Sequence, residues 1–268
     1  MTPLLSTRVT IAYKHKAVLA NLRLDLREGE ILGLVGHSGC GKSSLALAIL
    51  GLLRMKGGTA SGSILWNNRE LLAFKESEWL KLRGREISFV PQSPMSSLNP
   101  ALRIETQLAE AWKLHQRGNR QECHKAIGRA LEDVSLPSTE EFLRRYPSEI
   151  SVGQAQRALI AMGILHRPAL LIADEPTSSL DAITQAEILA LFSELNQKLG
   201  MSILYISHDL LAVASLCHRI AILNEGEIVE CGTPQQIFFS STHPFTRKLV
   251  AALPSIPVLI ESRQGTPA

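Results

Sequence analysis

Residues 36–43 read Gly36-His37-Ser38-Gly39-Cys40-Gly41-Lys42-Ser43, a complete G-x-x-x-x-G-K-S run. Glycines at these positions let successive backbone N–H groups turn inward and form a nest for anionic oxygens at a helix N-terminus. An ammonium at Lys42 has the reach to meet β- and γ-phosphates, and the Ser43 hydroxyl suits Mg²⁺. The pattern needs a strand before it and a helix after it. The apolar run Glu30 to Val35 and the helical stretch opening at Ser44 supply both.

A second chemical centre follows the run Leu170-Leu171-Ile172-Ala173, where Asp174 and Glu175 stand at the end of an apolar strand. In open α/β sheets ligands bind at that edge. Asp174 is suited to coordinate Mg²⁺ or accept from its bound water, and Glu175 to orient and deprotonate an attacking water. His208, in Ser207-His208-Asp209, ends another apolar strand and could contact a γ-phosphate. Gln92, after Val90-Pro91, could touch Mg²⁺ or the attacking water. Tyr13, upstream of the phosphate loop, could stack on a purine.

These residues must be held by elements legible in the pattern. Val9, Ile11 and Tyr13 alternate, as do Leu22, Leu24 and Leu26, and both segments are expected to be strands. Further strands are expected at Ser63–Trp66, Ile87–Val90, Leu170–Ala173, Ile203–Ile206 and Ile220–Leu223. From Thr106 to Leu165 the periodicity turns helical, and Thr184–Leu199 is a further helix. Strands alternating with helices predict an α/β fold around a mainly parallel sheet, with the middle helical block inserted. Pro254, Pro257 and Pro267 predict a frayed end after about residue 255.

With 45% hydrophobic and 20% charged residues, the chain has the make-up of a soluble globular protein. A net charge of +3 gives nucleic acid no support as a partner. The longest apolar stretch, Leu45 to Leu53, is too short to span a bilayer, and the first residues lack the pattern of a signal peptide. Cys40, Cys123, Cys217 and Cys231 are scattered, against a disulfide framework or zinc site and in keeping with a reducing cytoplasm.

Taken in order, Tyr13, Gly36 to Ser43, Gln92, Ser151-Val152-Gly153-Gln154, Asp174-Glu175, Ser179-Leu180-Asp181 and His208 resemble the motif set of an ABC transporter ATP-binding subunit. The resemblance implies a P-loop NTPase with a RecA-like core, an antiparallel β subdomain and an inserted helical subdomain. It places the ATPase domain at residues 5–247, the insertion at about 93–163 and a family-specific tail at 233–268. It also implies ATP and Mg²⁺ as cofactors. ATP would meet Tyr13, the loop from Gly36 through Ser44, and Asp174. Mg²⁺ would meet Ser43, Gln92 and Asp174, while Glu175, His208 and Gln92 serve hydrolysis. In this family two ATPase domains face head to tail, so Ser151, Gly153 and Gln154 would serve a partner's nucleotide, and Asp181 is a further expected nucleotide-binding residue. Where the family has Leu-Ser-Gly-Gly-Gln, this chain has Val152 in place of the first glycine. A β-branched residue there is expected to restrict backbone freedom and to burden the partner's site.

Pro94 to Pro100, Arg144 to Glu149 and His243 to Pro254 are similar to segments of the oligopeptide, dipeptide and nickel importers. That subgroup implies a second, different ATPase subunit, two permeases and an extracytoplasmic binding protein, at the cytoplasmic face of the inner membrane. The expected cargo is nickel, a metallophore or a di- or oligopeptide. A soluble ABC ATPase acting on nucleic acid or ribosomes is the rival; such proteins carry long coiled-coil arms or two cassettes, whereas this sequence has one phosphate loop. A P-loop kinase would not need the signature, the Ser179-Leu180-Asp181 loop or His208.

Overall fold

Apolar alternation, glycine turns and self-capped helices divide the chain into a regular succession of elements. A computed structural model describes residues 3–14 and 16–253. In chain order come β1 (Leu5–Tyr13), β2 (Lys16–Leu26), β3 (Ile31–Val35), α1 (Lys42–Ile49), β4 (Gly58–Trp66), β5 (Arg69–Glu70) and α2 (Glu76–Leu82). Next are β6 (Ile87–Val90), α3 (Pro94–Ser97), α4 (Ile104–Lys113), α5 (Arg120–Asp133), α6 (Glu140–Leu143), α7 (Val152–Ile164), β7 (Leu170–Asp174) and α8 (Ala182–Leu199). The last are β8 (Ser202–Ser207), α9 (Leu210–Leu216), β9 (Arg219–Asn224), β10 (Glu227–Gly232), α10 (Pro234–Phe239) and α11 (Pro244–Ala251). The predicted frayed end, with Pro254, Pro257 and Pro267, lies outside the described residues, as does the end of the 233–268 tail.

The chain forms two compact units, Met1–Trp79 with Ser202–Ala268, and Leu80–Met201. In the first, β3 is buried at all five positions and pairs in parallel with β8 on one side and β9 on the other. A strand covered on both faces reads as a continuous apolar run, which is what Ile31-Leu32-Gly33-Leu34-Val35 is. Helix α9 lies against β3 and β8. The β9–β10 hairpin turns through Glu225 and Gly226, both with positive φ (48° and 86°), as a two-residue turn between right-twisted strands requires. Gly226 accepts from Ala20 N–H at 3.0 Å, joining that hairpin to β2. Strands β2, β1, β4 and β5 form a separate antiparallel sheet. The expected mixture of parallel α/β and antiparallel sheet is present.

The second unit contains the parallel pair β6 and β7 with six of the helices. Helix α7 is its centre: it packs against α3, α4, α5 and β6, and buries Ala155, Gln156, Ala158, Leu159, Ile160, Ala161, Gly163 and Ile164. Small residues along α7 let these neighbours approach. Arg157 fixes the packing laterally, donating to Val134 O at 2.9 Å and to Glu187 on α8 at 3.1 Å. The unit is wider than the 93–163 insertion, because β6, β7 and α8 belong to it.

Candidate functional site

Tyr13, Gly36 to Ser44 and His208 fall in the first unit. The phosphate loop links the end of β3 to the start of α1. Gly41 is the N-cap of α1 with φ 106° and ψ 4°, a conformation that L side chains avoid. A Cβ there would also stand 2.5 Å from Leu19 Cδ2, so both backbone and space demand glycine. No side chain caps α1, and its first turn carries no acidic residue. Its N-terminal N–H groups and positive dipole end are therefore not answered by the helix's own side chains, an arrangement that suits phosphate. Lys42 is buried; its Nζ donates to Gly36 O at 2.7 Å and to His37 O at 3.1 Å, lying back across the loop. Ser43 is exposed, as are His37, Ser38 and Gly39, while Cys40 is buried.

Ser44 has a partner that sequence reasoning did not anticipate: its hydroxyl lies 3.1 Å from the phenol oxygen of Tyr13. The Tyr13 ring also crowds Gly58, where an added Cβ would come within 2.8 Å of Cε1. The aromatic is thus held by β4 and α1 rather than left to swing. His208 is exposed at the end of β8. The next residue, Asp209, caps α9 by accepting from Leu211 and Ala212 N–H, which fixes the backbone carrying the imidazole.

Gln92, Ser151, Gly153, Gln154, Asp174, Glu175 and Asp181 fall in the second unit. Asp174 is buried at the end of β7, and Glu175 follows at φ 48°. A non-glycine residue at positive φ is strained, and such strain concentrates at functional sites. The structure brings Gln92 to Glu175: the amide Nε2 donates to Oε2 at 3.1 Å. Since a carboxylate only accepts, this bond fixes the amide's orientation and turns its Oε1 away as a free oxygen ligand. Ser43 Oγ, Gln92 Oε1 and the Asp174 carboxylate all offer hard oxygen donors, the type that Mg²⁺ takes.

The signature residues form a helix cap. Ser151 Oγ accepts from Gln154 N–H at 3.1 Å, and Gln154 Oε1 accepts from Ser151 N–H at 3.1 Å, a reciprocal capping box at the start of α7. The pattern Ser-x-x-Gln was in the sequence to be read. The expected backbone penalty at Val152 is not there: Val152 is the first residue of α7, and neither it nor Gly153 is among the described residues with positive φ. Helical φ and ψ are open to valine, so its β-branch meets no conformational barrier. Glycine is required one residue later and for space, because a Cβ on Gly153 would stand 2.8 Å from Thr184 Cγ2 on α8. What Val152 adds is an apolar side chain, 40% exposed.

Asp181 is the N-cap of α8, accepting from Ile183 N–H, Thr184 N–H and the Thr184 hydroxyl. Backbone and hydroxyl donation from Thr184 holds its carboxyl below the usual range. A sequence search for Asp-x-x-Thr before an apolar run could have found this cap.

Comparison with known proteins adds to this geometry. The profile of the ABC transporter family matches residues 19–178. The oligopeptide transport ATP-binding protein OppD of Escherichia coli K12 is 41% identical over 251 residues, covering 93% of this chain and 74% of that protein. The dipeptide transport ATP-binding protein DppD of Lactococcus lactis is 39% identical over 96% of this chain and 75% of its own length. The glutathione import ATP-binding protein GsiA of Salmonella choleraesuis is 39% identical over 92% of this chain, which spans only 41% of that longer protein. Among solved structures, the MJ0796 cassette in a dimeric post-hydrolysis state with ADP and Pi superposes with a TM-score of 0.74 at 28% identity, over 86% of this chain and 98% of that one. CbiO1 of Clostridium perfringens, part of the ABC transporter complex cbiONQ, gives 0.78 at 25% identity, over 98% and 99% of the two chains.

Proposed function

The chain belongs to the ABC transporter family, and from that premise we propose that it is the ATP-hydrolysing subunit that energises an importer of peptides or peptide-like solutes. The observation that carries the nucleotide reading is the start of α1, where a buried lysine stands at a helix N-terminus that no side chain caps. Lys42 would hold the β- and γ-phosphates, and Tyr13 would face the base. Ser43, Gln92 and Asp174 are the residues suited to hold Mg²⁺. When bound, that ion offsets the phosphate charge. Glu175 would accept the proton of the attacking water as its oxygen bonds to the γ-phosphorus. The bond from that phosphorus to the bridging oxygen breaks, and ADP leaves. His208 would meet the γ-phosphate. Ser151, Gly153 and Gln154 would serve the nucleotide of a second ATPase subunit, and Asp181 would be a further nucleotide-binding residue.

The named relatives act on oligopeptides, dipeptides and glutathione, which favours a peptide over nickel or a metallophore as cargo. No helix among the described residues is long and apolar enough to cross a membrane, so passage itself would belong to partners. Two permeases, a second ATPase subunit and an extracytoplasmic binding protein complete the proposed assembly at the cytoplasmic face of the inner membrane. Cells lacking this chain should lose uptake of labelled di- and oligopeptides and regain it with the wild-type gene. Glu175→Gln should not restore it, since loss of the base slows hydrolysis by about 10²- to 10⁴-fold. Intact peptide uptake with lost nickel uptake would reassign the cargo, and full rescue by Glu175→Gln would remove Glu175 from its role.

A further inference from the structure

Beyond β7 the chain makes a tight turn. Pro176 and Thr177 occupy its centre, and Ser178 N–H closes it on Glu175 O at 3.3 Å. That backbone bond is long. Ser178 adds a second one to the same carbonyl, with its Oγ donating to Glu175 O at 3.1 Å. The same Oγ lies 3.4 Å from Gln92 Nε2, the amide that donates to the Glu175 carboxylate. One hydroxyl therefore grips Glu175 at its backbone and touches the group that holds its side chain.

We propose that Ser178 is the positioning residue that keeps the Glu175 carboxylate aimed, acting through the strained Glu175 backbone and through Gln92. The proposal rests on the reading of Glu175 as the base for hydrolysis. The physical need for a clamp is visible in the backbone. Glu175 sits at φ 48° immediately before Pro176. Positive φ is unfavourable for a residue with a Cβ, and the following proline ring narrows the choices further toward extended conformations. Left to itself, the residue would relax to a negative φ and swing its carboxylate off the line set by β7. Two hydrogen bonds from one residue onto the Glu175 carbonyl oppose that relaxation. Because Ser178 Oγ has one hydrogen, spent on that carbonyl, its lone pairs remain for the Gln92 amide. The three residues lie within one compact unit, 83 and 3 positions apart in sequence, so only the fold reveals the set.

Ser178→Ala keeps the backbone bond and removes the hydroxyl. In the full chain assembled with its partners, kcat for ATP should fall about 3- to 10-fold, the size of one hydrogen bond that matters only for aim. KM and the equilibrium affinity for ATP should stay within about twofold, because no phosphate contact is lost. Ser178→Thr retains the hydroxyl and should restore kcat. Placed on Glu175→Gln, Ser178→Ala should change nothing further, since its effect runs through the carboxylate. A crystal structure of nucleotide-free Ser178→Ala should find Glu175 moved from φ near +48°. Wild-type kcat in Ser178→Ala, an equal loss in Ser178→Thr, or a loss carried by KM would each overturn the proposal. If Glu175→Gln itself hydrolysed ATP normally, the underlying reading of the base would fail instead, a separate and distinguishable result.

Discussion

Helices α1 and α7 both begin at a motif associated with phosphate, and they begin in opposite ways. The start of α1 has glycine in a left-handed conformation as its cap, no capping side chain and no acid in its first turn. The start of α7 has a complete capping box in which Ser151 and Gln154 satisfy each other. A bare helix terminus leaves donors that an anion can answer, at the expense of stability in its absence; a self-capped terminus is stable alone. The difference teaches that the start of α1 is not completed by its own side chains, whereas the start of α7 is closed by Ser151 and Gln154.

Removing the charge beside the uncapped terminus is the most severe way to break this contrast. Lys42 is buried and hydrogen-bonded to two loop carbonyls. Losing one side of a desolvated charged contact costs roughly 2–5 kcal/mol, so Lys42→Ala should weaken ATP binding by ~10²-fold or more. Equilibrium binding of a fluorescent ATP analogue measures this directly. Retained affinity would mean that the α1 terminus is not where phosphate is held.

A smaller effect separates the two signature positions. Gly153→Val forces a Cβ to within 2.8 Å of Thr184 Cγ2 and should lower stability by about 1–3 kcal/mol, the usual cost of overpacking. Val152→Gly should change stability by less than about 1 kcal/mol, since the position is already helical. Urea unfolding of both variants tests the order. The expectation drawn from sequence, that Val152 burdens the backbone of the partner's signature, survives only if Val152→Gly stabilises the chain or raises turnover markedly.

The cap itself comes next. Ser151→Ala removes the hydroxyl that accepts from Gln154 N–H and should cost about 1 kcal/mol of stability without nucleotide. Thermal shift then sharpens the comparison. Saturating ATP should raise the melting temperature of the wild type through α1, and by the same increment in Ser151→Ala, because the cap loss acts on α7 alone. An increment that vanished in Ser151→Ala would tie the two termini together energetically in the isolated chain.

How far these features were legible from sequence depends on the range of the interaction. Local rules carried the strands with alternating or continuous apolar residues, such as β2 and β3, and the loop Gly36 to Ser43 with its helix. The capping boxes, Ser-x-x-Gln at 151–154 and Thr-x-x-Gln at 233–236, follow from the same local rules. Short elements stayed hidden: β5 has two residues and α3 four, too few for any period to register. Contacts between distant segments were invisible in principle. Nothing near Ser44 announces Tyr13, 31 residues away, and nothing in Ser178 announces Gln92, 86 away. Val152 is the instructive failure. A family pattern suggests that glycine is needed for its backbone, but only the dihedral angles reveal that the need is spatial and falls on Gly153.

The smallest expected effect concerns the far end of α7. His166, just past the helix, contacts Ala111 O through Nε2 at 3.1 Å and meets the His115 ring edge-to-face at 5.0 Å. Burial lowers its pKa below the usual histidine range. The backbone bond to Ala111 works against this, and the nearby charges of His115 and Arg85 add to it. The folded chain thus resists a proton that the unfolded chain accepts, so stability rises with pH through this window. The contribution is fully present above the ordinary histidine value near 6.5, and is lost as pH falls from there toward the lowered folded value. His166→Gln keeps an amide donor for Ala111 O and cannot titrate. Its loss of stability between pH 7.5 and 5.5, read by urea unfolding, should be smaller than that of the wild type. Because α7 is held at both ends by the protein's own groups, saturating ATP should leave this difference between variant and wild type unchanged. An identical acid response in the two proteins would show that the end of α7 is indifferent to protons.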